Sequence, residues 1–251
     1  MTERRAIEVT GADRLRFLQG LVTNDVAGLE RGLVYAALLS PQGKYLADFF
    51  LVPRGEAVLV DVAASLAEPL LRRLAMYRLR SAVSLAPVEV AVARGLGDPP
   101  EAALPDPRHP GLGWRLYGAG ADPAPVDWDA VRVEHLVPET GIELIPEETY
   151  ILEAGFERLH GVDFRKGCYV GQEVTARMKH KTELRKGLAR VRVEGVAPVG
   201  TPITAGGKPV GTLFTQSGGR GLAHLRFDRA GEAMEAGGAR VAWEGAETAT
   251  A

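Results

Sequence analysis

The octet KGCYVGQE, residues 166–173, holds the single cysteine of this 251-residue chain, Cys168. Gly167 and Gly171 flank it, and glycine allows a backbone to take positive φ or to approach a ligand closely. Lys166 precedes the thiol, where a cation would lower the thiol pKa and favour the reactive thiolate. A lone cysteine can also be a small buried apolar side chain. On these residues alone, both interpretations stay open.

The rest of the octet is equally open to two interpretations. Tyr169 is either part of the core or a stacking surface for a flat heterocycle. Gln172 and Glu173 are predicted to open a helix that runs through Met178, where the helix dipole favours an acidic residue in the first turn. They could instead order the octet or contact a ligand.

Several segments of the chain together resemble the YgfZ family, folate-binding proteins of iron–sulfur cluster assembly and repair. That family is related to the aminomethyltransferase of the glycine cleavage system. The octet matches its signature, and the match is specific because eight positions agree in a row. Further similar segments are FLQG at 17–20, TND at 23–25, SPQGK at 40–44 and the acidic stretch at 138–148.

The hydrophobic pattern predicts an α+β body followed by a small β-barrel. The resemblance, which covers most of residues 5–225, adds an aminomethyltransferase-like folate-binding fold with subdomains around a central channel that holds a pterin. We therefore predict an α+β body over 1–186, a barrel over 187–245 and a frayed tail over 246–251. Residues 95–127 are rich in proline and glycine and predict a loop-rich connector or abbreviated subdomain, with one short strand and no binding role.

Within the body, strands and helices alternate. Leu33–Leu39 and Tyr45–Val52 predict two strands joined by a polar turn, and Ser65 is placed to cap a helix. Val88–Ala93 is expected to complete a βαβ-like sheet, and Asp127 to cap a later helix. After residue 187, four short strands alternate with glycine turns, which is typical of a barrel or sandwich.

Composition excludes several classes of protein. The net charge of −2 does not suit a general nucleic-acid binder, and one cysteine rules out an internal disulfide and an all-cysteine metal site within one chain. The first residues lack a secretory apolar segment, and no apolar run approaches the ~20 residues of a membrane span. We expect a cytoplasmic protein, mainly monomeric, without membrane contact.

Charge is distributed unevenly along the chain. Residues 134–157 hold seven glutamates and no lysine or arginine, whereas 165–190 hold eight lysines and arginines. These blocks could pair with each other or coat a solvated surface. They could instead form a cationic rim, including Arg177, for an anionic ligand tail such as that of a polyglutamylated folate, or for RNA.

The resemblance implies a functional thiol at Cys168, next to Lys166. Because iron–sulfur clusters need several thiolates, this chain could ligate one only transiently, together with a partner. The implied cofactor is tetrahydrofolate or a one-carbon derivative, and no stably bound metal is expected in the isolated chain. The residues expected to contact the folate are Asn24, Asp25, Glu143, Tyr169, Gln172, Glu173 and Arg177.

The function that follows from the resemblance is to help assemble or repair iron–sulfur clusters on client enzymes, including radical enzymes that modify tRNA. Expected partners are those clients, cluster-assembly proteins and the folate, with no direct nucleic-acid contact. One alternative is a folate-dependent aminomethyltransferase or demethylase with Asp48 as base. Residues 42–48 hold a single carboxylate where those relatives carry two, which counts against this alternative. Another alternative is a tRNA-contacting module built on residues 165–190.

Overall fold

The computed structural model describes residues 3–120, 122–181, 184–231 and 233–245. The predicted frayed tail, 246–251, lies outside the described residues. Within them, no helix is long and apolar enough to cross a membrane.

A five-stranded antiparallel sheet forms the centre of the body. Its strand order is β2-β3-β4-β1-β5, and every neighbouring pair is antiparallel. The predicted βαβ-like layout is therefore wrong, because short turns such as 40–44 place β2, β3 and β4 side by side, and β1 pairs antiparallel with both β4 and β5. The strands are β1 (Arg4–Thr10), β2 (Val34–Leu39), β3 (Tyr45–Arg54), β4 (Ala57–Ala63) and β5 (Ser84–Val88).

Four α-helices are described: α1 (Arg14–Gln19), α2 (Ala64–Arg78), α3 (Trp128–His135) and α4 (Gln172–Lys181). The predicted cap of α3 is confirmed, because the Asp127 carboxylate accepts the Ala130 N–H at 3.0 Å. The predicted Ser65 cap is wrong, since α2 has Ala63 at its N-cap and no side-chain cap.

Both faces of the central sheet are covered. Along β2, Ala36 and Leu38 belong to the core beneath α1 and α2, whereas Tyr35 and Ala37 belong to the core formed with residues 137–169. Successive residues of a strand point to opposite faces, so an uninterrupted apolar run indicates a sheet buried on both sides.

A second, three-stranded sheet lies over the body. It contains β6 (Val92–Gly95), β7 (Leu104–Pro105) and β8 (Trp114–Tyr117) in the order β6-β8-β7. The Arg115 guanidinium of β8 reaches the Asp61 carboxylate of β4 at 2.8 Å. Residues 95–127 contain β7 as well as the predicted strand β8, and this sheet forms one wall of the cavity described below.

The C-terminal strands close into a six-stranded barrel in the order β10-β11-β12-β9-β14-β13. Four of these strands match the predicted ones; β13 was missed because it has only three residues, and β10 because it contains Pro202, which argues against a strand. The strands are β9 (Lys186–Glu194), β10 (Thr201–Ala205), β11 (Lys208–Ser217), β12 (Arg220–Arg226), β13 (Met234–Ala236) and β14 (Ala239–Trp243).

Candidate functional site

A cavity of about 290 Å³ lies where the two sheets of the body meet residues 138–140. We call it the central cavity. Strand β3 contributes Asp48 and Phe50 to its lining, and the small sheet contributes Arg94 and Arg115. Arg108, which follows β7, and Thr140 also line it, and the remaining charged residues of the lining are Glu3, Arg4 and Glu139.

Asp48 is the carboxylate that β3 presents to this cavity, and it is buried. The hydroxyls of Tyr45 and Thr140 donate to Oδ1 at 2.7 and 2.6 Å, and that of Tyr35 donates to Oδ2 at 3.0 Å. Burial and the charge of Asp48 raise the pKa of both tyrosines, so their hydroxyls stay protonated. The structure thus holds a fixed hydrogen-bond acceptor at the cavity wall.

Buried guanidiniums form the facing wall. Arg115 Nη2 lies 2.8 Å from Asp61 Oδ2, and Arg108 Nη2 lies 2.8 Å from Asp106 Oδ2. Arg115 also stacks over the Phe50 ring, 4.0 Å from its centroid. Burial alone would lower the pKa of Arg115, but Tyr117 and the two aspartates beside it raise that pKa overall. This guanidinium is therefore a permanent cation.

Arg94 differs from its neighbours because its pKa falls to about 10. The causes are burial first and then the charge of Arg115, partly offset by Glu139. Its guanidinium also lies 3.9 Å from the centroid of the Trp128 ring. A cation held in a partly dehydrated, cationic environment is stabilised by an entering anion, so Arg94 favours a negatively charged ligand.

The signature loop, residues 166–173, lies apart from this cavity and packs on the β2–β3 turn. Gly171 has φ +82°, and a Cβ there would lie 2.5 Å from the Ser40 carbonyl oxygen. Across the contact, Gly43 has φ +74°, and its Cβ would lie 2.7 Å from Val174 Cβ. The two glycines therefore let two of the segments that carry the family resemblance pack directly on each other.

Lys166 fixes the other end of the loop. Its side chain is buried and its ammonium donates to the carbonyls of Gln19 and Val22, at the end of α1. Burial lowers the pKa of Lys166 to about 8, partly offset by Asp25 and Asp163. The geometry gives Lys166 an anchoring role in place of the expected activation of the thiol.

Asn24 and Asp25 make local structural contacts. The Asn24 amide donates to the Tyr35 and His160 carbonyls at 2.8 and 2.7 Å. Asp25 caps a short 3-10 helix by accepting the Ala27 N–H at 3.0 Å. Neither residue lines the central cavity, and the prediction that they contact a ligand there is not supported by their positions.

The remaining residues that were predicted to contact the ligand make other contacts. Tyr169 is 8% exposed and packs in the core, while the Gln172 side chain accepts the Tyr169 N–H at 3.4 Å. Glu173 and Arg177 form an exposed pair at 2.8 Å along α4. The predicted helix start at Gln172 is present, but these four residues lie outside the lining of the central cavity.

Glu143 connects the body to the barrel. Its buried carboxylate accepts the Thr215 hydroxyl of β11 at 2.6 Å and the Arg132 guanidinium at 2.9 Å. It also accepts the Glu139 N–H at 2.9 Å. Glu143 does not line the central cavity, and the contacts that its oxygens make join the body to the barrel.

The Cys168 thiol is exposed on the signature loop. The alternative of a buried, space-filling cysteine is therefore excluded. Over the described ranges, no three histidine, cysteine, aspartate or glutamate residues are grouped to hold a metal ion. What the loop offers is one accessible thiol on a backbone that Lys166 and Gly171 fix at either end.

Replacing Gly171 by alanine should destabilise the protein strongly. The new Cβ would collide with the Ser40 carbonyl at a left-handed backbone position, and we expect a loss of more than about 2 kcal/mol of unfolding free energy. Urea denaturation measures this loss. Gly167→Ala is the matched control, because a Cβ there meets nothing within 4 Å. Equal unfolding midpoints for both variants would contradict the packing described.

The sequence did not identify the cavity residues Arg94, Arg108, Arg115 and Thr140. The strand Trp114–Tyr117 was predicted. Its residues Arg115 and Tyr117 lie on one face of the strand, and they could have suggested that this face is polar. The partners of Arg115, Phe50 and Asp61, are more than fifty positions away in the chain, so no local pattern connects them.

Residues 185–250 match the family described as CAF17, C-terminal beta-barrel domain. The human mitochondrial iron–sulfur cluster assembly factor IBA57 is 33% identical over 88% of this chain and 75% of its own length. The IBA57 homolog of Pyricularia oryzae is 32% identical over 74% of this chain, and the mouse factor 31% over 90% and 76% of its own length. This chain spans about half of the Pyricularia protein, 54% of its length.

The structure also resembles the glycine cleavage system aminomethyltransferase of Bartonella henselae. The TM-score is 0.75 at 13% identity, with 96% of this chain and 82% of that chain covered. This confirms the predicted aminomethyltransferase-like α+β fold with its C-terminal barrel. At that identity, the likeness concerns the fold alone.

The expected cytoplasmic location is wrong. The human, mouse and Pyricularia relatives are all designated mitochondrial. The prediction depended on the lack of a secretory apolar segment, which bears on secretion and not on import into an organelle.

Proposed function

The chain belongs to the IBA57 family of iron–sulfur cluster assembly factors, and from this premise we propose that it helps to assemble iron–sulfur clusters on client enzymes through Cys168. The observation that carries this proposal is an exposed thiol on a loop fixed by buried contacts. A cluster needs several thiolates, so Cys168 would ligate the cluster together with thiolates of a partner. The partners that this proposal implies are cluster-assembly proteins and the client enzymes.

Thiol alkylation tests this function directly. An extract of cells that lack their own family member would be mixed anaerobically with the apo form of an iron–sulfur enzyme and with the purified chain. We expect the native chain to reactivate the enzyme and the iodoacetamide-treated chain to leave it at the level of the extract alone. Equal reactivation by both preparations would overturn the role of the thiol.

We further propose that the central cavity holds a folate. At about 290 Å³ the cavity is at the small end of ligand pockets, which suits a bicyclic ring and the start of a tail. The flat Arg115 guanidinium, supported by the Phe50 ring, offers a stacking surface, the Asp48 carboxylate can accept ring N–H donors, and Arg94 favours the anionic tail. The residues present therefore fit the group. Bound tetrahydrofolate would supply a one-carbon carrier.

Anaerobic calorimetric titration of tetrahydrofolate measures this binding. We expect saturable binding to the wild type and at least a tenfold weaker affinity in Asp48→Asn, about 1.4 kcal/mol, because the cavity loses its carboxylate acceptor. Glu89→Gln is the control, since Glu89 is exposed and its side chain is 90% accessible. Unchanged affinity in Asp48→Asn would exclude the central cavity as the folate-binding site.

One observation favours a second function, folate-dependent aminomethyl transfer. Asp48 lies in the cavity wall, where such an enzyme would need its base. Three hydroxyl donors already engage this carboxylate, which leaves fewer of its lone pairs to accept a substrate proton. Formation of methylene-tetrahydrofolate from an aminomethyl donor, lost in Asp48→Asn, would establish this function.

Two narrower predictions extend this proposal. The first is that the chain belongs to the YgfZ branch, and the second is that its client enzymes include those that modify tRNA. Direct RNA contact by residues 165–190 has less support, because five cations of that block pair with acids. They are Arg165, Arg177, Lys179, Lys186 and Arg190.

A further inference from the structure

A groove on the surface of the body is not used by the function proposed so far. It lies between α1 and the end of α2, with a volume of about 410 Å³. We call it the arginine groove. Its lining includes Asp13, Arg16, Phe17, Gly20, Tyr77 and Arg80.

The walls of the arginine groove are fixed by backbone contacts. The Asp13 N–H donates to the Ala82 carbonyl at 3.3 Å, and the Ala82 N–H donates to Asp13 Oδ2 at 2.8 Å. Gly11 approaches the same carbonyl so closely that a Cβ would lie 2.1 Å from it. The groove is therefore preorganised, which reduces the entropy that a ligand must lose on binding.

The groove carries net positive charge. Its lining holds two arginines, Arg16 and Arg80, and one carboxylate, Asp13. Both arginines, and the neighbouring Arg78, are exposed, and none forms an ion pair with any residue that the structure describes. Such a field attracts an acidic ligand and disfavours a basic one.

Apolar side chains border the same surface. Met76 is 71% exposed and Leu79 is 89% exposed. Leu79 also has φ 31° and ψ −98°, outside the regions that leucine ordinarily adopts. Backbone strain of this kind is concentrated at functional positions, and here it holds a large apolar side chain in water.

The arginine groove adjoins the base of the signature loop. Lys166 binds the carbonyls of Gln19 and Val22, which bracket the groove residues Gly20 and Leu21. Cys168 follows two residues later. Helix α1 has six residues and is about 9 Å long, whereas a typical interface of about 800 Å² per partner is about 30 Å across. A partner of ordinary interface size that covers the groove would therefore also lie against the base of the signature loop.

From these observations we infer that the arginine groove docks an acidic segment, carrying one large apolar side chain, of the protein that exchanges the cluster at Cys168. This inference rests on the proposed function. The groove is concave and rigid, which suits a protein segment better than a membrane surface.

Charge reversal tests the docking surface in cells that lack their own family member. We expect Arg16→Glu/Arg80→Glu to reduce the activity of an iron–sulfur client at least about tenfold, since docking loses its attraction. A photo-crosslinker placed at Met76 should capture an acidic cluster-assembly protein with the wild-type groove and lose it with the double variant. Arg229→Glu/Arg240→Glu is the matched control on the barrel and should behave as the wild type.

A second variant separates docking from folding. Leu79→Gly relieves the backbone strain, so the unfolding midpoint should rise while the crosslink weakens. Wild-type client activity in the double variant, with Cys168→Ala inactive, would overturn the docking role of the arginine groove and leave the proposed function in place. Full activity in Cys168→Ala would overturn the proposed function itself. Binding to phosphatidylserine vesicles that the double variant abolishes, without a crosslinked protein, would also overturn the inference.

Discussion

Cys168→Ala should abolish cluster assembly while leaving the fold intact. The side chain is exposed on the signature loop, whose anchors are Lys166 and Gly171, so the substitution removes no buried contact. We expect an unfolding free energy within about 0.5 kcal/mol of the wild type. In the extract assay, reactivation of the apo enzyme should fall to the level without added protein, because the one thiolate of the chain is gone.

Cys168→Ser is the conservative control for this result. Serine keeps the shape of the side chain but does not ionise near neutral pH, so we expect it to be as inactive as alanine. If either variant kept half of the wild-type activity, the thiol would not be the working group. A lowered unfolding midpoint in Cys168→Ala would instead indicate a packing role that the exposed side chain does not suggest.

Arg115→Met should cause the largest loss of stability. Arg115 is 3% exposed and pairs with Asp61, whose side chain is fully buried, and it also lies 3.7 Å from Asp106. Removing one partner leaves buried carboxylates without their full compensation, which costs about 3–5 kcal/mol. Urea denaturation of the wild type and the variant measures the difference in unfolding free energy.

Two further variants identify the cause of that loss. Arg220→Met removes an exposed pair with Glu134 and should cost about 1 kcal/mol or less. Adding Asp61→Asn to Arg115→Met should recover part of the stability, because the uncompensated charge disappears. A loss in Arg115→Met as small as that in Arg220→Met would show that this buried network contributes little to folding.

The fold could be predicted where local pattern and resemblance agree. The strict alternation after Gly187 predicted the barrel, and Asp127 marked the start of α3. Strand β13, with three residues, gave too few alternating residues to be recognised, and Pro202 in β10 argued against a strand. The antiparallel order of the main sheet could not be predicted either, because it depends on long-range pairing such as β1 with β4.

The candidate site could be predicted only in part. Cys168 was identified because a single cysteine between glycines is unusual in the sequence. Asn24, Tyr169 and Glu143 were identified by resemblance, yet their side chains pack and anchor segments, since a recurring motif can fix a loop as well as contact a ligand. Arg115 was missed because its partners come together only through tertiary contacts.

The most direct test of the central claim is the activity of an iron–sulfur enzyme in cells that lack their own IBA57-family member and express this chain. We predict that the wild-type chain restores the activity above that of cells with empty vector, whereas Cys168→Ala at equal protein level does not. Activity that stays at the vector level, although the wild-type chain is soluble and folded, would contradict a role in iron–sulfur cluster assembly.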